Sequence, residues 1–119
     1  MRIGGGQNEA QLLKLLELTG ERSRALNGNV ANINTPGYKR REVRFEDALR
    51  SALDRGKPIE SVQAETVVDE TSPARIDGNN VDLERELALR AQNGVLRDAY
   101  LTMLETHYRM LDAAVRSGR

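Results

Sequence analysis

The chain has 119 residues, of which 39% are hydrophobic and 3% aromatic, and its 18 Lys and Arg balance 18 Asp and Glu. With no Cys there is no disulfide scaffold, thiolate metal site or cysteine nucleophile, and no apolar run approaches the ~18 residues of a membrane span. The length fits one domain, and the neutral balance argues against a generic polyanion binder.

Residues 1–10, with Gly4-Gly5-Gly6, read as a flexible lead. No apolar stretch follows Met1-Arg2, so no secretory signal is recognisable. A helix is expected over 11–34. Leu12, Leu16, Thr19, Ser23, Leu26, Val30 and Ile33 follow a 4-3 rhythm, which is a heptad seam. Leu13, Leu15 and Leu18 widen it, and Gly20 weakens it by about 1 kcal/mol relative to Ala. Thr35-Pro36-Gly37-Tyr38 should end the helix over 35–38. A residue before proline leaves the α region, and Pro-Gly suits the centre of a type II turn.

The middle segment, 39–78, is less regular. Phe45, Leu49, Ala52 and Leu53 could face one way on a short helix. From Arg55 to Arg75 a polar, partly extended or disordered loop is expected, with strand character around Thr66-Val67-Val68. Asp77-Gly78 reads as a turn, and Asn79, Asn80 or Asp82 can cap the next helix. That helix should run over about 82–115. Leu101, Leu104, Tyr108, Leu111 and Val115 carry its seam, and Leu83 and Leu87 fit the same register. Glu84 and Glu86 complement the helix dipole, and Arg116 and Gly118 suit the far end. The expected fold is mainly α: two long terminal helices in an antiparallel coiled-coil-like hairpin, with a short helix and a loop between them. Each long helix has one seam, so the free chain should be marginal.

Candidate chemistry is sparse. His107 has no second ligand at i±3 or i±4, and flanks the packing stripe. No phosphate loop or carboxylate pair on an apolar background is visible. No catalytic, metal or cofactor-binding residues are assigned, and an enzyme is not expected. Charge is unevenly spread. Residues 36–57 hold seven basic and four acidic groups, and residues 58–86 hold two and eight. Lys39, Arg40, Arg41 and Arg44 form a basic run beside Tyr38 and Phe45. A neutral chain is a poor nucleic-acid binder, and a solvated face is the simpler account of that run.

Asn27, Asn29, Asn32 and Asn34 crowd the end of the first helix, where asparagine is a weak helix former. They flank the Leu26, Val30 and Ile33 stripe, as a fraying end or as amides able to bond neighbouring chains.

Asn29-Val30-Ala31-Asn32-Ile33-Asn34-Thr35-Pro36-Gly37-Tyr38-Lys39 resembles the signature of the flagellar axial family, the rod and hook proteins of bacteria. Asn79-Asn80-Val81-Asp82 resembles the family's second landmark, an Asn-x-Val-Asp segment opening the last helix. The chain has no room for the inserted β domains of hook and distal-rod relatives. Tyr38 to Leu49 most resembles a small proximal rod subunit, and another such subunit is an open alternative.

The resemblance implies a non-enzymatic building block. It would leave the cytoplasm unfolded through the flagellar type III apparatus, without a cleaved signal peptide. It would then polymerise with itself and other rod subunits, below them ring and export-gate proteins, into the periplasmic rod that transmits motor torque. It implies neither a cofactor, a nucleic acid nor direct membrane insertion. The resemblance also makes Phe45 and Leu49 a candidate export element, though their spacing is an ordinary i,i+4 pair. The charge asymmetry gives a further expectation, that Lys39, Arg40, Arg41 and Arg44 meet Glu60, Glu65, Asp69 and Glu70 of an adjacent subunit. The alternatives are a small cytosolic helical adaptor or chaperone and a nucleic-acid-binding hairpin.

Overall fold

A computed structural model describes the backbone over residues 5–118 and side chains from Asn8 onward. Helix α1 spans Gly5–Ala31, strand β1 Arg41–Arg44, helix α2 Glu46–Asp54, strand β2 Glu65–Val68 and helix α3 Leu83–Ser117, with a 3-10 turn at Ile59–Ser61. The fold is mainly helical with one small antiparallel sheet. It is elongated, 68 × 29 × 15 Å, with a radius of gyration of 18.2 Å, where a compact domain of this length would have roughly 13–14 Å.

Helix α1 starts earlier and stops earlier than expected. Residues 5–10 are helical, not a flexible lead, and residues 1–4 lie outside the described residues. Its end gives way to a turn from Asn32, where the asparagine amides take backbone groups from the helix ladder. The Pro36-Gly37 turn forms as expected. Tyr38 N–H bonds the Thr35 carbonyl at 3.2 Å, and Gly37 has φ +74°, a conformation that favours glycine at the third position of a type II turn.

The 55–75 stretch takes the partly extended form of the two expected, with the strand around Thr66-Val67-Val68 present as β2. The basic run becomes β1, and its antiparallel partner β2 lies within that stretch, in the register Arg41↔Val68, Glu42↔Val67, Val43↔Thr66 and Arg44↔Glu65. Beneath the sheet, Leu18, Val43, Phe45, Ala52 and Val62 form a small core. Arg22 closes its edge. Its guanidinium lies 4.2 Å from the Phe45 ring centre, donates to the Val43 carbonyl at 2.8 Å and pairs with Glu46. Helix α2 packs through Ala52 and Leu49, but Leu53 turns to solvent, 58% exposed.

Helices α1 and α3 make the largest contact and run in opposite directions. Asn93 Nδ2 donates to the Thr19 carbonyl at 2.9 Å, and Tyr108 Oη donates to Glu9 at 2.8 Å. The α1 seam lies where expected, with Leu12, Thr19 and Leu26 buried. On α3 the expected seam is turned aside. Glu86, Asn93 and His107 are the buried residues of that helix, and Leu89, Leu96, Tyr100 and Leu104 are half-buried beside them. The predicted Leu87, Leu101 and Tyr108 each follow a member of the Glu86, Asn93, Tyr100, His107 line, about 100° further around the helix. Leu83, Leu87, Leu101, Tyr108, Leu111 and Val115 are exposed. Two members of the polar line have partners that draw it inward: Glu86 meets Arg40 and Asn93 meets Thr19. His107, expected at the flank of the stripe, therefore sits on the buried line itself.

Candidate functional site: a knot of buried amides and a buried ion cluster

The two motif segments, some 45 residues apart in sequence, meet at one end of the molecule. Asn29 sits inside α1 with 0% exposure and uses all its bonding capacity. Nδ2 donates to the Arg41 carbonyl at 2.9 Å and to Glu86 at 3.0 Å. Oδ1 accepts from Arg41 N–H at 2.9 Å and Tyr38 Oη at 3.1 Å. Asn32 Nδ2 donates back to the Gly28 carbonyl at 2.8 Å, and its Oδ1 accepts from Thr35 at 3.1 Å.

From the other segment, buried Asn79 ties down the turn. Its Nδ2 donates to the Asn32 and Thr35 carbonyls at 2.9 and 2.8 Å, and its Oδ1 accepts from Val81 N–H at 2.8 Å. Asn80 Oδ1 accepts from Arg40 N–H at 2.7 Å, and Nδ2 donates to the Asp69 carbonyl at 2.7 Å. Val81 is buried beside them. Asp82 caps α3, accepting from Glu84 and Arg85 N–H at 3.1 and 3.5 Å. Gly37 and Gly78 face each other: a Cβ on Gly78 would lie 3.3 Å from Gly37 Cα. Lys39 donates to the Gly78 carbonyl, and Arg75 to the Ile33 carbonyl. The amides expected to border a seam between chains are thus spent within the chain. Asn27 and Asn34 remain exposed, as do Thr35 and Pro36.

Beneath this knot lies a cluster that charge patterning could not reveal. Arg40 is wholly buried. Its Nε meets Glu86 at 2.5 Å, and Nη1 meets Glu42 at 2.5 Å and Asp69 at 3.2 Å. Arg85 shares Glu42 Oε1 with Arg40 at 3.2 Å, and Arg44 takes Glu42 Oε2 at 2.9 Å. Three guanidinium groups thus balance three carboxylates. Burial works against the charged Arg40, but the bonds to Glu86, Glu42 and Asp69 outweigh it and raise its pKa. The bond from Arg40 leads in holding Glu42 below the ordinary carboxylate value. Asp69 is held well below it, first by the Ser72 hydroxyl at 2.6 Å and then, against the cost of burial, by Thr71 and Ser72 N–H at 2.8 and 3.0 Å.

The expected contact between Arg40 and an acidic neighbouring subunit is therefore corrected: Arg40 and Asp69 pair inside one chain. Glu60, Glu65, Glu70, Arg41 and Arg44 are exposed, and Lys39 is half-buried. Phe45 is buried in the small core and Leu49 is half-buried beside it. Among the described residues no group of His, Cys, Asp or Glu is arranged to hold a metal ion, and no helix is long and apolar enough to cross a membrane.

The arrangement is that of a scaffold. Two antiparallel helices are locked at one end by satisfied amides and a neutral ion cluster, and an apolar flank is left uncovered. Comparison with known proteins gives the same class. The chain is 29% identical to the flagellar basal body rod protein FlgB of Escherichia coli (strain K12), over 87% of this chain and 88% of that one. It is 28% identical to the Salmonella typhimurium protein of that name over the same shares. Against the Borreliella burgdorferi protein of that name it is 27% identical, over 80% of this chain and 84% of that one. No family model matches the chain. These likenesses, spread over several bacteria and most of the chain, support its membership of the FlgB family of flagellar basal body rod proteins.

Proposed function

We propose that this chain is a structural subunit of the proximal flagellar rod, a non-enzymatic component that polymerises with itself and with other rod and basal-body proteins. The carrying observation is the uncovered apolar flank of α3. Leu83, Leu87, Leu101, Tyr108 and Leu111 are between 38% and 46% exposed, while a polar line on the same helix is buried. Such a flank is stabilised by a further layer of subunits. A contact of this kind that does not close on itself generates a helical filament. In this reading the two terminal helices wind as an antiparallel coiled-coil pair, and the knot fixes their register. The exposed charges Arg41, Arg44, Glu60, Glu65 and Glu70 remain available for contacts between subunits.

Export through the flagellar type III apparatus, and a final place in the periplasmic rod, complete the proposal. Phe45 is 3% exposed in the folded chain. An export element built on Phe45 and Leu49 could therefore be read only while the chain is unfolded, which suits passage through a narrow channel.

The test is a strain carrying Leu101→Glu with Leu111→Glu. Both positions are exposed, so the purified variant should keep wild-type helicity. The cells should lose motility and lack rods. Motile cells with intact basal bodies would overturn the assignment of this flank. A deletion strain that still builds rods would overturn the rod reading as a whole.

A further inference from the structure

Helix α3 carries a glycine at mid-length, where glycine costs helix stability. On α1 the comparable Gly20 makes room for a neighbour: a Cβ there would lie 3.0 Å from Arg97 Nη1. Gly94 of α3 makes room for nothing of the kind. Among the described residues, a Cβ on it would meet no atom within 4 Å. Gly94 lies on the uncovered flank, between Leu87 and Leu101, which are 46% and 41% exposed. It is a notch in that flank, open to the outside.

The residues around the notch are complementary to themselves. Arg90 and Asp98 lie four residues before and after Gly94, and Leu87 and Leu101 lie seven before and after it. At about 100° per residue, all four fall within about 40° of Gly94 around the helix, on one strip. Arg90 and Asp98 are both exposed. Glu86, Arg85, Arg109 and Arg116 of the same helix close ion pairs inside the chain, whereas among the described residues Arg90 and Asp98 have no ion-pair partner. About 12 Å of helix keeps them from pairing with each other. The strip thus shows one cation and one anion at equal distances either side of a notch, with a leucine beyond each.

We propose that this strip pairs with the same strip of a second copy, the two α3 helices running antiparallel and crossing at Gly94. Such a crossing sets each residue after Gly94 on one helix against the residue equally far before it on the other. Arg90 of each copy then meets Asp98 of the other, and Leu87 of each packs on Leu101 of the other. The two glycines face each other at the centre, where the missing side chains let the helices approach more closely than the usual ~8–10 Å. A parallel pairing would set Arg90 against Arg90 and Asp98 against Asp98, so charge selects the antiparallel one. The contact is isologous and closes at two copies. It buries Leu87 and Leu101, which the rod reading gives to neighbouring subunits, so pairing of free chains and growth of a filament compete for one flank. The pair itself rests on the surface of α3 and not on the rod reading.

Sedimentation equilibrium of the purified full chain at high protein concentration tests the pair. The native chain should show a monomer–dimer equilibrium. Arg90→Glu and Asp98→Arg each set like charges opposite one another twice, so each should keep wild-type helicity and weaken pairing roughly 10-fold. An equimolar mixture of these two variants should pair more tightly than either alone, approaching the native chain, because each copy then supplies the sign that the other lacks. Gly94→Leu enters open space in the free chain, so it should keep or raise the melting temperature, and it should abolish the pair by standing between the two backbones. A native chain that stays monomeric, a mixture no tighter than either variant, or undiminished pairing of Gly94→Leu would overturn the contact. None of these outcomes bears on the deletion strain, whose rods or lack of them decide the rod reading separately.

Discussion

Replacing Asn29 with Ala probes the knot at its centre. The side chain makes four hydrogen bonds at a position with no solvent exposure: two to the Arg41 backbone, one to Tyr38 and one to Glu86. Truncation removes all four together. The Tyr38 hydroxyl, half-buried, can turn to water. The Arg41 N–H and C=O and one Glu86 oxygen lose a partner, and each buried group so orphaned costs about 1–3 kcal/mol. Taking the lower end for the two backbone groups, which are only partly buried, and the full range for the buried Glu86 oxygen, the total is about 3–5 kcal/mol. Urea unfolding of the purified chain, followed by far-UV circular dichroism, should show a loss of this size, and melting should fall on the order of 10 °C. Asn29→Asp keeps the shape but turns the donor into a second carboxylate facing Glu86, and should cost at least as much. Asn27→Ala, on the exposed side of the same helix, is the control and should stay within about 0.5 kcal/mol. If Asn29→Ala also fell within that range, the amide would not be holding the two motif segments together, and the reasoning would be refuted.

The ion cluster gives two further tests. Arg40→Met leaves three carboxylates without their shared cation and should cost about 3–5 kcal/mol, whereas Glu86→Gln should cost less because Glu42 and Asp69 still hold the guanidinium; equal losses in urea titrations would contradict Arg40 as the shared centre. Asp69 and Glu42 have folded pKa values below their ordinary 3.8 and 4.5, so the unfolded chain takes up protons first on acidification. Their stabilisation is present above the ordinary values and declines as pH falls below about 4. Denaturation midpoints should be flat near neutrality and drop below that point, and Asp69→Asn should be less stable at neutral pH with a shallower acid slope. An unchanged slope would remove Asp69 from the account.

Local signals carried most of the architecture. The Pro36-Gly37 turn, the Asp82 cap and the α1 seam each rest on chemistry within a few residues, and each appears where the sequence places it. The failures share a physical cause. Whether Arg40 is solvated or buried depends on Glu86, which is 46 residues away, and a run of basic residues does not show which member turns inward. On α3 an apolar line competes with a polar line one residue behind it. Periodicity favours leucine, but Glu86 and Asn93 have partners waiting on β1's side and on α1. The heptad spacing of Glu86, Asn93, Tyr100 and His107 is visible in the sequence, and without a known partner it reads as surface. Strand β1 was hidden for the same reason: alternation in Arg41-Glu42-Val43-Arg44 is masked by charge, and pairing with β2 closes over a long connection.

The knot has a mechanical corollary. It binds both helices near one end of a molecule 68 Å long, while further along the pair is held by helix-to-helix contacts alone. The body is therefore a pair of tongs with its pivot at the motif. Helix α3 extends roughly 50 Å from that pivot, so turning one limb by roughly 5° moves its tip by roughly 4–5 Å. Small adjustments at the pivot side become large ones at the far tips.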